Sequence, residues 1–503
     1  MKISILNNAK RNIITGIINK FIIMLCPLLT RMFVQRLLGA QYLGLESLFT
    51  SILSVLSLSE LGFSTAIVAS MYKPVAEGDD GTINALLNFY RTVYRVIGFV
   101  ILIIGLCIIP FLPSLINGSY PVDINLTILY LVYLSNSVLS YFLYAYLNSL
   151  IIVYQRSDIT STRNSITRLL LLLLRIGFLY VFKNYYYYVL LMPLFTVIEN
   201  LWIAIVAKRL FPQYKCEGKL GREKIRILEK QVAGTFINKA CGVTRNSLDS
   251  ICISAFIGLT VTAQYNNYFY IMNSVTGILM IFYTSIVGGI GNHVATKSPE
   301  DNFEEMQKID FLYLNISGWC ATCLLCLYQP FMTIWMGPDM LLPSLAVVLF
   351  VIYFYSLKLG DIRYMYTEAN GLFWEQKWKS ISETISNLLL NVVLGKLLGV
   401  YGIILATLIS IVFINYVWGT KITFKYYFKT STKRFYAHQF KVTVINILIC
   451  ILTFFACKLI HINRALVDML VRTALCVIIP SLLYYLIYRN SDQYRYFVHR
   501  FKN

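Results

Sequence analysis

Charged and amide side chains occur inside a long apolar stretch of the sequence, where contact with lipid would be unfavourable. Residues 236 to 265 include Lys239, Arg245 and Asp249 together with Asn238 and Asn246. At 100° per residue these five side chains fall within about 120° on one face of a helix. An ionised group at the centre of a bilayer costs on the order of 2.5–3.5 kcal/mol. The spacing therefore predicts a face that contacts protein or a water-filled cavity.

Other apolar stretches of the sequence also contain lysines and arginines, and they contain fewer aspartates and glutamates. A cavity lined in this way is cationic on balance and suits an anionic group, since a guanidinium can bind two phosphate oxygens at once. The residues predicted to bind such a group are Arg31, Lys239, Arg245, Lys20, Arg175, Asn238 and Asn246. The intramembrane acids that could couple transport to an ion are Asp249, Glu60 and Asp361.

Simpler interpretations of some of these charges stay open. Lys20 and Arg36 could extend to the membrane surface, with their methylene chains in the apolar layer. Lys358 and Asp361 are three residues apart and could neutralise each other. These residues would then serve the fold rather than bind a substrate.

The composition predicts an all-α polytopic membrane protein. Of 503 residues, 57% are hydrophobic and 14% are charged, which is outside the range of soluble domains. A spanning helix needs about 20 mostly apolar residues, and on that basis we count about 14 segments. They lie near 13–38, 45–70, 93–116, 125–154, 166–182, 188–207, 235–258, 264–292, 309–335, 343–366, 380–397, 401–420, 442–460 and 466–488.

The net charge of +20 is unevenly distributed between the loops. If the N-terminus is cytoplasmic, most lysines and arginines fall in inside loops, whereas the opposite loops hold few besides Lys183, Lys396, Lys458 and Arg464. This positive-inside pattern predicts a multi-pass protein of the cytoplasmic (inner) membrane with both termini in the cytoplasm. It does not favour nucleic acid as a partner.

Cysteine and histidine spacing predicts no metal site. The eleven cysteines lie mostly in apolar segments, as small buried residues do. Cys320, Cys323 and Cys326 form the run CATCLLC, but no histidine or acid lies near it in the sequence. We therefore expect no cofactor, apart from a coupling ion that would be H⁺ or Na⁺.

An internal repeat indicates two lobes of six helices. Ile18-Asn19-Lys20 and a later Ala40-Gln41-Tyr42 return in the same order as Ile237-Asn238-Lys239 and Ala263-Gln264-Tyr265. The connectors 71–91 and 293–308 are each predicted to form a short interfacial helix. The predicted organisation is an N-lobe at 1–207, a basic linker at 208–234, a C-lobe at 235–420, a second basic linker at 421–441, and an appended helix pair with a tail at 442–503.

Several runs resemble one known family. They are RLLG at 36–39, YLGL at 42–45, LSLSELGF at 56–63, MYKP at 71–74 and TAQYNNY at 262–268. The chain is similar to the Wzx-like oligosaccharide flippases, the polysaccharide branch of the multidrug/oligosaccharidyl-lipid/polysaccharide exporter superfamily. The resemblance implies a V-shaped pair of six-helix bundles around a central cavity, alternating access, and movement of an undecaprenyl-pyrophosphate-linked oligosaccharide for O-antigen, capsule or exopolysaccharide. Cationic cavity residues, here Arg31 and Arg245, would hold the pyrophosphate, and a polysaccharide polymerase and a chain-length regulator would be partners.

Three alternatives stay open at this point. A multidrug exporter of the same superfamily should have an acidic, aromatic cavity, but the first span has Lys20 and Arg31 and no acid. A lipid II flippase would share the fold and a cationic cavity. A membrane glycosyltransferase would need a sizeable loop with clustered acids, and the longest loop, Lys208 to Gly234, has no acidic pair. The chain is therefore expected not to be an enzyme, and no phosphate-binding GxxxxGK[ST] motif indicates ATP hydrolysis.

Overall fold

The computed structural model describes residues 5–60, 63–460, 462 and 464–496, and within them the chain is helical with no strand. Helix makes up 87% of the protein, which confirms the all-α prediction. The α-helices are α1 (Ile5–Leu37), α2 (Ala40–Leu56), α3 (Phe63–Glu77), α4 (Asp80–Ile108), α5 (Leu126–Phe142), α6 (Asn148–Val153), α7 (Ser157–Phe182), α8 (Tyr185–Leu210), α9 (Arg222–Phe256), α10 (Leu259–Thr296), α11 (Pro299–Met336), α12 (Ser344–Lys358), α13 (Asp361–Ala369), α14 (Lys377–Leu398), α15 (Val400–Ile409), α16 (Gly419–Thr423), α17 (Lys433–Leu459) and α18 (Ala465–Tyr488).

Eleven of the described helical stretches are long and apolar enough to cross a membrane, and a bent pair, Leu126–Phe142 with Ala145–Val153, makes a twelfth. The protein is therefore a multi-pass membrane protein. The predicted second span, 45–70, differs from the structure because it is divided between α2 and α3 by a 3₁₀ turn at Ser57–Glu60. Serine side chains compete with the backbone for hydrogen bonds, which favours such a break.

The helices cluster into two compact units, Met1–Ala263 and Gln264–Asn503. In the first unit α1 packs on α7, α7 on α8, α8 on α5 and α5 on α4, while α2 packs on α9. The predicted six-helix lobes and their linker boundaries stay predictions.

In the second unit α11 is the central helix. It packs against α12, α17 and α18, and α14 forms a close pair with α15. The side chain of Asn446 on α17 donates to the carbonyl of Leu314 at 3.0 Å and to the hydroxyl of Tyr355 at 3.0 Å. The predicted appended pair, α17 and α18, is thus attached to the side of α11.

The two connectors do not form separate interfacial helices, contrary to the sequence prediction. The first is divided between α3 and α4 at Gly78, whose φ of 71° suits glycine. Asp79 caps α4 by accepting from the Thr82 amide at 2.9 Å, and the hydrogen bonds from Thr82 lower the pKa of this carboxyl. The second is divided between α10 and α11, where Ser298 is the N-cap. A helix of 38 residues is about 57 Å long, so both helices extend well beyond the apolar layer of about 30 Å.

Replacing Gly402 with alanine is expected to destabilise the second unit by roughly 1–3 kcal/mol. A Cβ at this position of α15 would overlap the backbone carbonyl of Leu394 on α14, and backbone cannot move aside as a flexible side chain can. The measurement is the thermal melting temperature of the purified protein in detergent. The control is Gly277→Ala on α10, where an added Cβ meets nothing within 4 Å. Equal melting temperatures for the two variants would contradict the close α14–α15 approach.

Candidate anion-binding site

A cluster of two arginines, one acid and three tyrosines lies inside the first unit. Its members are Arg31 on α1, Glu46 on α2, Tyr133 on α5, Arg175 on α7, and Tyr185 and Tyr188 on α8. We call it the arginine–tyrosine cluster. Arg175 and the three tyrosines are buried, and Arg31 and Glu46 are half-buried.

Two turns of the chain fix the level of the cluster in the helix bundle. The α1–α2 turn passes through Gly39 at φ 111°, and the α7–α8 turn passes through Lys183 in the left-handed conformation. Arg31 and Arg175 each lie eight positions before the corresponding turn residue. At 1.5 Å per residue both arginines are about 12 Å along their helices from these turns. The hydrogen bond from the Tyr185 hydroxyl to the Tyr42 carbonyl joins the two turn regions, so the arginines lie at a similar level.

The tyrosines are held by one another and by the start of α8. Asn184 caps this helix by accepting from the Tyr186 amide at 2.8 Å, which places Tyr185 and Tyr188 in its first turn. The hydroxyls of Tyr133 and Tyr185 are 2.9 Å apart, and the Tyr185 hydroxyl also donates to the carbonyl of Tyr42 at 3.3 Å. The rings of Tyr185 and Tyr188 stack at 5.5 Å. The phenol groups are therefore fixed in position.

Arg175 lies above this aromatic surface. Its guanidinium carbon is 4.3 Å from the centre of the Tyr188 ring, within the range of a cation–π contact. The residue is only 9% exposed, and its Nε and one Nη have no hydrogen-bond partner among the described residues. A guanidinium carries five donors, and leaving buried donors unsatisfied costs free energy. The arrangement suits an anion that supplies acceptor oxygens.

Glu46 supplies the negative charge of the cluster. Glu46 lies within electrostatic range of Tyr133 and Tyr188, as does Arg175, and Arg31 lies within electrostatic range of Tyr188. One of its carboxylate oxygens is buried with no hydrogen-bond partner in the described part of the chain. With both arginines charged and the acid ionised, the cluster carries a net charge of +1. An anion is therefore favoured over a cation.

The residues predicted on α9 have different environments. Asp249 is fully buried, Arg245 and Asn246 are half-buried, and the Arg245 Nε donates to the Asn246 amide oxygen at 3.3 Å. Asn238 is half-buried, whereas Lys239 is exposed, as is Lys20 on α1. The structure thus brings Arg31 and Arg175 together around Tyr188. The binding roles of all seven predicted residues stay predictions.

Glu60 and Asp361 are the other two acids predicted to couple transport to an ion. The side chain of Glu60 lies outside the described residues. Asp361, in the second unit, accepts from Lys358 at 2.8 Å and from the Tyr313 hydroxyl at 2.5 Å. Lys358 and Asp361 therefore pair with each other, which is the simpler interpretation of their spacing. Ion coupling through Asp249, Glu60 or Asp361 stays a prediction.

Sequence reasoning missed Glu46 and gave the three tyrosines no role in a site. Glu46 is an acid within the run AQYLGLESLF, so its place in an apolar segment was the available signal. Tyr185 and Tyr188 belong to a run of four tyrosines at a helix start, which is typical of an interfacial aromatic belt. Their contact with Arg175 depends on how α7 and α8 pair, and spacing within one helix does not contain that information.

The fold is shared with known membrane transporters, at low sequence identity. A structure of the lipid II flippase MurJ in an inward closed conformation superimposes with a TM-score of 0.68 and 14% identity, covering 95% of this chain and 99% of that chain. The Vibrio cholerae MATE transporter VcmN in its bent form gives 0.54 and 14%, covering 84% and 97%. A transporter of the same superfamily from Pyrococcus furiosus, whose binding pocket is described as having reverse polarity, gives 0.56 and 13%, covering 84% and 96%. No curated protein sequence matches the chain.

A family profile matches a large part of the sequence and agrees with the structural likeness. It is described as "Polysaccharide biosynthesis protein" and covers residues 9–288, which is more than half of the chain. The sequence resemblance to Wzx-like proteins of the exporter superfamily is thereby confirmed. The protein belongs to the polysaccharide biosynthesis protein family and has the fold of the superfamily that contains MurJ and the MATE transporters.

Proposed function

We propose that the protein is a flippase that moves an undecaprenyl-pyrophosphate-linked oligosaccharide from the cytoplasmic to the outer leaflet of the cytoplasmic membrane by alternating access. The lipid-linked glycan would be used for O-antigen, capsule or exopolysaccharide. Both termini face the cytoplasm in this proposal, and a polymerase and a chain-length regulator act on the product. The family, which concerns polysaccharide synthesis, supports the glycan part of the proposal.

The observation that carries the proposal is the buried Arg175 guanidinium with unsatisfied donors beside Arg31 and Tyr188. A pyrophosphate offers several acceptor oxygens and at least two negative charges, and it would satisfy these donors and balance the charge of the cluster. The predicted residues Lys239 and Arg245 would add cations to the path of the headgroup. The polyprenyl tail would stay in lipid, so that its apolar surface is not exposed to water. The hydrophilic glycan would remain in contact with water.

Glu46 adds a coupling acid to the three predicted from the sequence. An acid close to two arginines can accept a proton or pair with Na⁺ while the anion is bound, because the anion offsets the added positive charge. Loss of that H⁺ or Na⁺ to the other side would restore the carboxylate, which repels the anion and favours its release. The gradient of H⁺ or Na⁺ would then supply the direction of transport.

The test is transport by the purified full-length protein in liposomes with a labelled lipid-linked oligosaccharide, lipid II or an organic cation in separate samples. We expect protein-dependent movement of the oligosaccharide lipid to the opposite leaflet, at least tenfold above protein-free liposomes. Faster movement of lipid II would assign the alternative flippase, and movement of the cation alone would assign an exporter. In cells, deletion of the gene should leave lipid-linked glycan in the cytoplasmic leaflet, and the wild-type gene should restore its export.

A further inference from the structure

Three buried cysteines from three different helices meet in the second unit. They are Cys326 on α11, Cys457 on α17 and Cys476 on α18, with 2%, 0% and 0% of their surfaces exposed. Their sulfur atoms all lie within 4.8 Å of one another. A fourth thiol, that of Cys323 on α11, forms a hydrogen bond with Cys476. Cys323 and Cys326 of the run CATCLLC therefore lie close to Cys457 and Cys476, which are far away in the sequence.

The arrangement holds these thiols in place independently of any bond between them. Pro480 lies four residues after Cys476 in α18 and has no N–H, so the Cys476 carbonyl lacks its usual helical hydrogen bond. The indole Nε1 of Trp319 on α11 donates to this carbonyl at 2.6 Å. The bond fixes Cys476 against the helix that carries Cys323 and Cys326. Leu327, Phe454 and Leu475 enclose the group with apolar surface.

We propose that Cys326, Cys457 and Cys476, with Cys323 beside them, form a binding site for the soft monovalent cation Cu(I). Thiolate ligands select soft metals, of which Cu(I) and Zn²⁺ are the closed-shell cases. In a trigonal site with metal–sulfur bonds of about 2.3 Å, the sulfur atoms are about 4.0 Å apart, so the three thiols need to approach by less than about 1 Å. The site is therefore close to its metal-bound geometry.

Net charge favours Cu(I) over Zn²⁺ at this position. Structural Zn²⁺ is almost always four-coordinate, and four thiolates around it leave a charge of −2. Cu(I) held by two thiolates and one neutral thiol leaves −1, with two protons released to the solvent on binding. Because the surroundings are apolar, the smaller charge costs less to bury. The three mutually close sulfur atoms also match three-coordination.

A row of thiols on α11 offers a route to the buried site. Cys320, Cys323 and Cys326 are three residues apart and share one helix face, and the first two are half-buried. Cu(I) can pass along such a row by exchange of one thiolate for the next. This gives CATCLLC a role in loading the site and makes the metal a link between α11 and the α17–α18 pair.

The experiment is a Cu(I) titration of the full-length, reduced, metal-free protein in detergent, in competition with the Cu(I) chelator bicinchoninate. We expect one Cu(I) to be retained per chain, with only sulfur neighbours in the X-ray absorption spectrum. Cys457→Ser should weaken retention at least 100-fold. The matched control is Cys450→Ser on the same helix, which should retain the metal.

A second measurement does not depend on how the variants fold. In the wild-type protein, Cu(I) should protect Cys326, Cys457 and Cys476 from maleimide after partial unfolding, as read by mass spectrometry, and Zn²⁺ should not. Equal retention by Cys457→Ser and the wild type, or no protection, would overturn the site. Tetrahedral cobalt absorption bands with Co(II), together with displacement of Cu(I) by Zn²⁺, would overturn the assignment to copper.

Discussion

Replacing Arg175 with alanine is expected to slow transport of the lipid-linked oligosaccharide at least tenfold without lowering protein stability. A hydrogen bond to a charged group contributes about 1.5–3 kcal/mol, which corresponds to a factor of about 10 to 150 in affinity or rate. Because two nitrogens of this buried guanidinium have no partner among the described residues, its removal also relieves a desolvated charge. We expect the melting temperature of the variant in detergent to be unchanged or higher.

The combination of lower activity with undiminished stability separates a ligand-binding arginine from a structural one. Arg168→Ala is the matched control, since Arg168 lies seven residues earlier on α7 but is exposed. It should keep normal transport. Arg175→Lys retains the charge but lacks the planar fork, so we expect intermediate transport. If Arg175→Ala instead melts several degrees lower and its transport loss follows its loss of abundance, Arg175 serves the fold and the assignment is wrong.

The positions of the spans could be predicted from the sequence because each span consists of consecutive residues. An apolar run of about 20 residues has few alternatives to a spanning helix, so α7, α8, α12 and α18 lie where hydropathy placed them. Hydropathy is less informative about helix breaks. Ser57–Glu60 contains three polar residues in four, but hydropathy averaged over about 20 residues still groups it with the apolar residues on both sides. In addition, α3 and α10 continue past the apolar layer into connectors that resembled separate helices.

The candidate site was only partly predictable, for a different reason. Arg31 and Arg175 are conspicuous because an arginine in an apolar run is costly. Their approach to Tyr188, and the presence of Glu46 in the same cluster, depend on which helices pair and on how each helix is rotated about its axis. The same limit applies to the cysteines, since Cys326 meets Cys457 and Cys476 only through the contacts of α11 with α17 and α18.

Replacing Glu46 with glutamine is expected to separate binding from transport. The substitution keeps the shape of the side chain and changes the net charge of the arginine–tyrosine cluster from +1 to +2. Removing a unit negative charge from the neighbourhood of a bound anion removes a repulsion on the order of 1–2 kcal/mol at the effective dielectric constant of a protein interior. We therefore expect the pyrophosphate lipid to bind several-fold more tightly, and transport in liposomes to slow at least tenfold because release becomes the difficult step.

The same variant tests how the cycle is driven. If Glu46 accepts the coupling ion, wild-type transport should accelerate when a gradient of H⁺ or Na⁺ is imposed, and Glu46→Gln should lose that response. Glu199→Gln is the matched control in the same unit, because glutamine retains an acceptor for the Thr167 hydroxyl, which donates to Glu199 at 2.6 Å. Weaker lipid binding by Glu46→Gln would mean that the acid orients the arginines rather than opposing the anion. A preserved gradient response would transfer the coupling role to Asp249, Glu60 or Asp361, whose neutral variants would then be the ones to lose it.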